Sequence, residues 1–120
     1  MTDPFMETLG LSGEIPAPGR ALVRGTVKPE HLNMHGTAHG GLLFTMADAA
    51  FALASNSHGI AAVALDTHME FVRPVRAGDE LEAAAEELSL GNRTALYRVE
   101  LRRAGELVAL FTGTVYRKAR

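Results

Sequence analysis

From Leu42 to Ala54 the chain reads LLFTMADAAFALA, and its apolar positions circle the whole helical wheel instead of forming one stripe. A helix that is apolar all round is normally buried on all sides. Asp48 sits in the middle of it, and no other Asp, Glu, Lys or Arg occurs between His31 and Leu65. A lone carboxylate is costly to bury unless partners or a chemical task hold it there. The chain must therefore wrap one long helix and still give Asp48 a reason to lie within it.

Gly40 and Gly41 stand just before the first helical turn. A helix N-terminus offers free N–H groups and the positive end of the macrodipole, and glycine lets a ligand oxygen come close to that backbone. One element thus carries an anion-stabilising end and an isolated acid. Eight residues at about 1.5 Å each put Asp48 roughly 12 Å from Gly40 along the axis. One helix cannot bring both groups to the same atom. If they cooperate, a second copy of the helix runs alongside, antiparallel, in a dimer.

The 120 residues are expected to form one domain, 1–120, with one core. An apolar content of 47% is that of a globular chain, and a net charge of −2 implies no general attraction to nucleic acid or membrane. The absence of cysteine removes disulfides, thiolate zinc sites and cysteine nucleophiles. The start, MTDPFMETLG, lacks the basic-then-apolar pattern of a secretory signal. A cytoplasmic location is the expectation.

In chain order, residues 3–10 read as a short helix with Asp3 as N-cap, Pro4 at the first position and Gly10 at the end. Phe5, Met6 and Leu9 would dock it. Leu11 to Gly19, rich in Gly and Pro, reads as a connection. Residues 20–28 alternate as a strand, Glu30 to His39 reads as a loop, and a second strand runs over 61–72. Residues 79–89 have helix-forming composition and helical spacing of Leu81, Ala84, Ala85 and Leu88. Yet hairpin signals at Gly91–Asn92 and at Arg103–Ala104–Gly105–Glu106 frame strands at 94–103 and 106–117, so 79–89 is expected to be a strand as well.

These residues carry a resemblance. Asn33, then HGTAHGG at 35–41, Asp48, FALASN at 51–56, FVRP at 71–74, AGD at 77–79 and GNRT at 91–94 resemble the hotdog-fold thioesterases, in particular the phenylacetyl-CoA, PaaI-type branch. The resemblance implies an α+β hotdog fold, with one long central helix wrapped by a five-stranded antiparallel sheet plus a short N-terminal helix. It implies a homodimer assembling to a homotetramer. It also implies acyl-CoA hydrolysis without metal or cofactor, coenzyme A being part of the substrate. The family's acid falls on Asp48 and its oxyanion-binding N–H on Gly40, contributed across the dimer. Its carbonyl-holding polar residue falls on Asn33 and its motif histidine on His39. Two positions depart from the pattern. Thr2 and Asp3 stand where several relatives have an Asn, and Ala64 stands where relatives often have Ser or Thr.

The substrate would also meet Gly41 and a basic rim, with Arg73, Arg76 and Arg93 the candidates and solvated strand-end charge the plainer reading. Arg102, Arg103, Arg117 and Lys118 are more distant. Phe44, Phe51, Met69 and Phe71 could line an acyl pocket, core packing being the plainer reading for each. His31, His35 and His39 recur every four residues, but that spacing aligns ligands only on a helix, so no metal is expected. Two other functions compete: a hydratase or dehydratase using His39 with the acid, and a non-catalytic acyl-CoA binding protein.

Overall fold

A computed structural model describes residues 1–118. Helix α1 spans Pro4–Thr8, and the Asp3 carboxylate accepts the Met6 N–H at 2.8 Å as its cap. Met6 is buried and Leu9 packs on the core, whereas Phe5 stays 59% exposed. The strands are β1 (Ser12–Ala17), β2 (Arg20–Thr26), β3 (Ala62–Phe71), β4 (Glu80–Leu90), β5 (Thr94–Arg103) and β6 (Glu106–Arg117), with helix α2 at Gly40–Ser55. They form one antiparallel sheet in the order β1-β2-β4-β5-β6-β3. Its concave face holds α2, which is the hotdog arrangement. No helix of the described residues is long and apolar enough to cross a membrane.

The sheet has six strands, not five. The segment expected to be a connection forms β1, pairing Ser12 with Arg24 and Gly13 with Val23. An edge strand tolerates Pro16, whose missing N–H faces no partner, and buries too little to show an apolar alternation. Gly13 has a further reason. A Cβ there would lie 2.6 Å from the Leu53 side chain, so α2 packs directly on this backbone.

Residues 80–90 do form a strand, against their local propensity. Leu81, Ala83 and Ala85 point into the core. Glu82 and Glu86 point outward, where Glu82 meets Arg24 at 2.9 Å and Glu86 meets Arg20 at 3.3 Å and Arg98 at 2.5 Å. Each exposed pair adds little energy, but together they favour the register of β2, β4 and β5.

Leu42, Leu43, Met46, Ala47, Ala50, Phe51 and Ala54 are buried against the sheet. Phe51 sits between Tyr97 and Phe111, at ring distances of 5.8 and 5.2 Å. Gly113 makes room for that ring. Beyond the helix, the Glu87 carboxylate accepts the Tyr97 hydroxyl at 2.6 Å and lies 2.7 Å from His58 Nε2, tying the end of α2 to the sheet. Within one chain the helix is not covered on every side. Gly41, Thr45, Asp48 and Ala52 form a stripe along α2 that the sheet leaves at least partly open. Strand β3 is equally uncovered. Among the described residues it pairs only with β6, and of the alternating set Leu65, Thr67, Met69 and Phe71 just Met69 packs on the core. An irregularity in pairing between Ala64 and Asp66 breaks the simple alternation.

Candidate active site

The loop before α2 is built by side chains that cap backbone. Asn33 Oδ1 accepts the His35 N–H at 2.8 Å and the Thr37 N–H at 3.2 Å, an Asx-type turn. Gly36 allows the turn with φ of 81°. One Asn33 Nδ2 hydrogen goes to Thr37 Oγ1 at 3.0 Å. The His39 N–H reaches the His31 carbonyl at 2.8 Å, and the Ala38 N–H reaches Val75 at 2.7 Å. His39 is the N-cap of α2, its Nδ1 accepting the Gly41 N–H at 2.8 Å.

That bond separates the two glycines. The Gly41 N–H is occupied, whereas among the described residues the Gly40 N–H has no acceptor. Gly40 opens on a groove of about 310 Å³ that it shares with Asn33, Leu43, Phe71, Arg73 and Val75. A Cβ on Gly40 would sit 3.3 Å from the Phe71 ring, so glycine permits close approach. His39 and Gly41 line a different groove, of about 360 Å³, on the other flank of the helix start with Phe5, His31 and Thr45.

Asp48 lies two turns further on, half-buried on the open stripe. Burial raises its carboxyl above the ordinary 3.8, the negative charge of Asp3 adds to the rise, and no donor from the described residues opposes it. Thr45, between Gly41 and Asp48 on the same stripe, returns its hydroxyl to the Gly41 carbonyl at 2.8 Å. It was not among the expected site residues, although its spacing of four from Gly41 and three to Asp48 is the signal that marks one helix face.

The model of the thioesterase superfamily matches residues 35–110, from the α2 loop through Asp48 into β6. The chain belongs to this superfamily. A protein of Archaeoglobus fulgidus is 48% identical over 100 residues, 82% of this chain, and the chain spans 65% of that relative's length. The acyl-coenzyme A thioesterase PaaI of Escherichia coli K12 is 45% identical over 100 residues, covering 82% of this chain and 71% of that protein. A solved variant of the phenylacetic acid degradation protein PaaI from Thermus thermophilus is 58% identical. Its TM-score is 0.94, with 97% of this chain and 100% of that one covered.

In this superfamily member the expected basic rim is divided. Arg73 stands at the Gly40 groove, but its Nε pairs with Glu106 at 3.0 Å and its Nη1 binds the Leu107 carbonyl at 3.1 Å. Arg93 sits at the other end of the sheet, where its carbonyl accepts the Arg117 N–H at 2.7 Å. The length of β3, at about 3.3 Å per residue, puts the two arginines roughly 30 Å apart in one chain. Arg103 pairs with Asp79 and Glu106, and Arg117 is buried on the Gly91 carbonyl. Thr2 donates to Glu7, and Ala64 offers only a methyl group on exposed β3. His31, like His39, uses Nδ1 on a backbone N–H. Among the described residues no three His, Asp or Glu side chains converge as metal ligands would.

Proposed function

We propose that this chain hydrolyses acyl-CoA thioesters, of the phenylacetyl or hydroxylated phenylacetyl class, to the free acid and coenzyme A. The observation that carries the reading is the pairing of an unoccupied Gly40 N–H with an unpartnered Asp48 on one helix. Their separation makes each useless to the other within a chain. An antiparallel copy that sets its residue 40 level with Asp48 places the two-fold axis near residue 44, beside the open stripe. The small side chains of Gly41, Thr45 and Ala52 suit close helix approach there, and the free edge of β3 suits strand pairing. Two such dimers would form the tetramer implied by the resemblance. The expected cytoplasmic location goes with a CoA-ester substrate.

In this reading the thioester carbonyl oxygen rests on the Gly40 N–H of one copy and the spare Nδ2 hydrogen of Asn33. Asp48 of the other copy takes a proton from water. The water oxygen bonds to the carbonyl carbon, and the carbon–sulfur bond then breaks. The CoA thiolate leaves and recovers the proton held by Asp48. A raised proton affinity suits Asp48 to act as a base. Nucleophilic attack by Asp48 itself would instead expel the CoA thiolate and form an acyl–Asp48 anhydride, and water attacking the Asp48 carbon of that anhydride would leave labelled oxygen in the carboxylate after a single turnover. A hydratase would need a basic nitrogen on His39. Nδ1 already accepts the Gly41 N–H, which leaves Nε2 protonated.

The test is thiol release from phenylacetyl, hydroxyphenylacetyl, benzoyl and straight-chain CoA esters by wild type, Asp48→Asn and Gly40→Pro. Proline fits the first position of a helix and removes the N–H in question; it also adds a Cβ 3.3 Å from the Phe71 ring, so Gly40→Ala, which adds the same Cβ and keeps the N–H, is the control. Loss of one oxyanion donor is expected to cost about 100-fold to 1,000-fold in kcat. Tight ester binding without turnover would favour a binding protein. Full activity in Asp48→Asn would refute the assignment.

A further inference from the structure

Of the four side chains that could line an acyl pocket, three are claimed by the core. Phe51 is enclosed by Tyr97 and Phe111, Phe44 packs on Phe111 at 5.6 Å, and Met69 joins the same cluster. Phe71 is different. The residue is 56% exposed at the end of β3, where its backbone still pairs with Ala109. The ring stands 3.3 Å from the Cβ that Gly40 lacks, in the groove that Gly40 lines. Among the described residues the Gly40 N–H is the free donor of the helix start, and an exposed aromatic ring stands beside it.

We propose that Phe71 sets the acyl preference of the site by packing against an aryl ring held one carbon from the thioester carbonyl. This rests on the thioesterase reading above and names the residue that selects its substrate. A carbonyl oxygen at hydrogen-bond distance from the Gly40 nitrogen brings the first acyl carbons within reach of the Phe71 ring. An aryl group on the next carbon reaches the offset or edge-to-face spacing of about 4.5–7 Å that aromatic pairs favour. Leu43 and Val75 supply the remaining apolar wall. An acetyl group ends before it reaches the ring.

The experiment measures kcat and KM for phenylacetyl-CoA, hexanoyl-CoA and acetyl-CoA with wild type, Phe71→Leu and Phe71→Tyr. Phe71→Leu keeps an apolar side chain on an exposed strand end, and circular dichroism checks its fold. The expected result is about a tenfold fall in the phenylacetyl-to-acetyl ratio of kcat/KM in Phe71→Leu, an aromatic contact and its buried area being lost. The ratio should return in Phe71→Tyr. An unchanged ratio in Phe71→Leu overturns this inference alone. An equal loss with all three esters also overturns it, because the ring would then support Gly40 or the CoA arm. Absence of thiol release by wild type from every ester overturns the thioesterase reading and this inference together.

Discussion

His39 Nδ1 accepts the Gly41 N–H at 2.8 Å, so an imidazole does the work usually given to Ser, Asp or Asn at a helix start. His39→Ala should lower stability by about 1 kcal/mol, the usual cost of a lost cap, and His39→Asn should restore most of it. Urea denaturation of the three proteins measures this. Equal stability of wild type and His39→Ala would mean that the bond contributes nothing to the helix.

Asp48 should make the protein less stable than it could be. Its carboxyl is raised in the folded state above the 3.8 of the unfolded chain. Between those two values the folded state binds more protons, so stability falls as pH rises through that window and stays reduced above it. Asp48→Asn is therefore expected to have a higher Tm than wild type at pH 7. The difference should vanish below the ordinary carboxylate value. Thermal unfolding across pH measures both, and a Tm difference independent of pH would contradict burial of the charge as its origin.

Asp3 is the charged group that acts on Asp48. Asn caps a helix about as well as Asp, so Asp3→Asn removes the charge and keeps α1. Asp48 should then ionise at lower pH, and the acid limb of kcat/KM should move down with it. Glu7→Gln, on the same helix, is the control and should leave the limb in place. An unmoved limb in Asp3→Asn would show that the solvent screens the pair.

Thr45 lies on the open stripe one position from the proposed two-fold axis. Thr45→Arg should put two cations face to face at the axis and separate the copies. Sedimentation should report a smaller species, and thiol release should fall with it. Activity retained in a monomer would contradict a shared site.

Asp48 was legible because it is solitary: one carboxylate amid apolar residues announces itself without a structure. The strand at β4 was legible only through its neighbours, since the hairpins on either side outweighed the helix propensity of DELEAAAEELS. Strand β1 was not legible. A Gly/Pro edge strand buries almost nothing, so its sequence carries no alternation. The division of Gly40 from Gly41 was also hidden, because it depends on where one imidazole nitrogen points. Phe71 looked like core for the same reason as Phe51. The sequence shows both as apolar, and only the position of β3 at the sheet edge separates them. Arg73 and Arg93 looked equivalent until the sheet placed them at opposite ends.

The spacing of Gly40 and Asp48 along α2 has a genetic consequence. If each site takes one group from either copy, two different lesions need not be additive. Gly40→Pro and Asp48→Asn chains, each inactive alone, should form mixed pairs in which one site keeps both wild-type groups and the other has neither. Random pairing of equal amounts through a two-fold interface would restore about a quarter of wild-type activity. Two defective alleles of this gene would then complement each other in one cell.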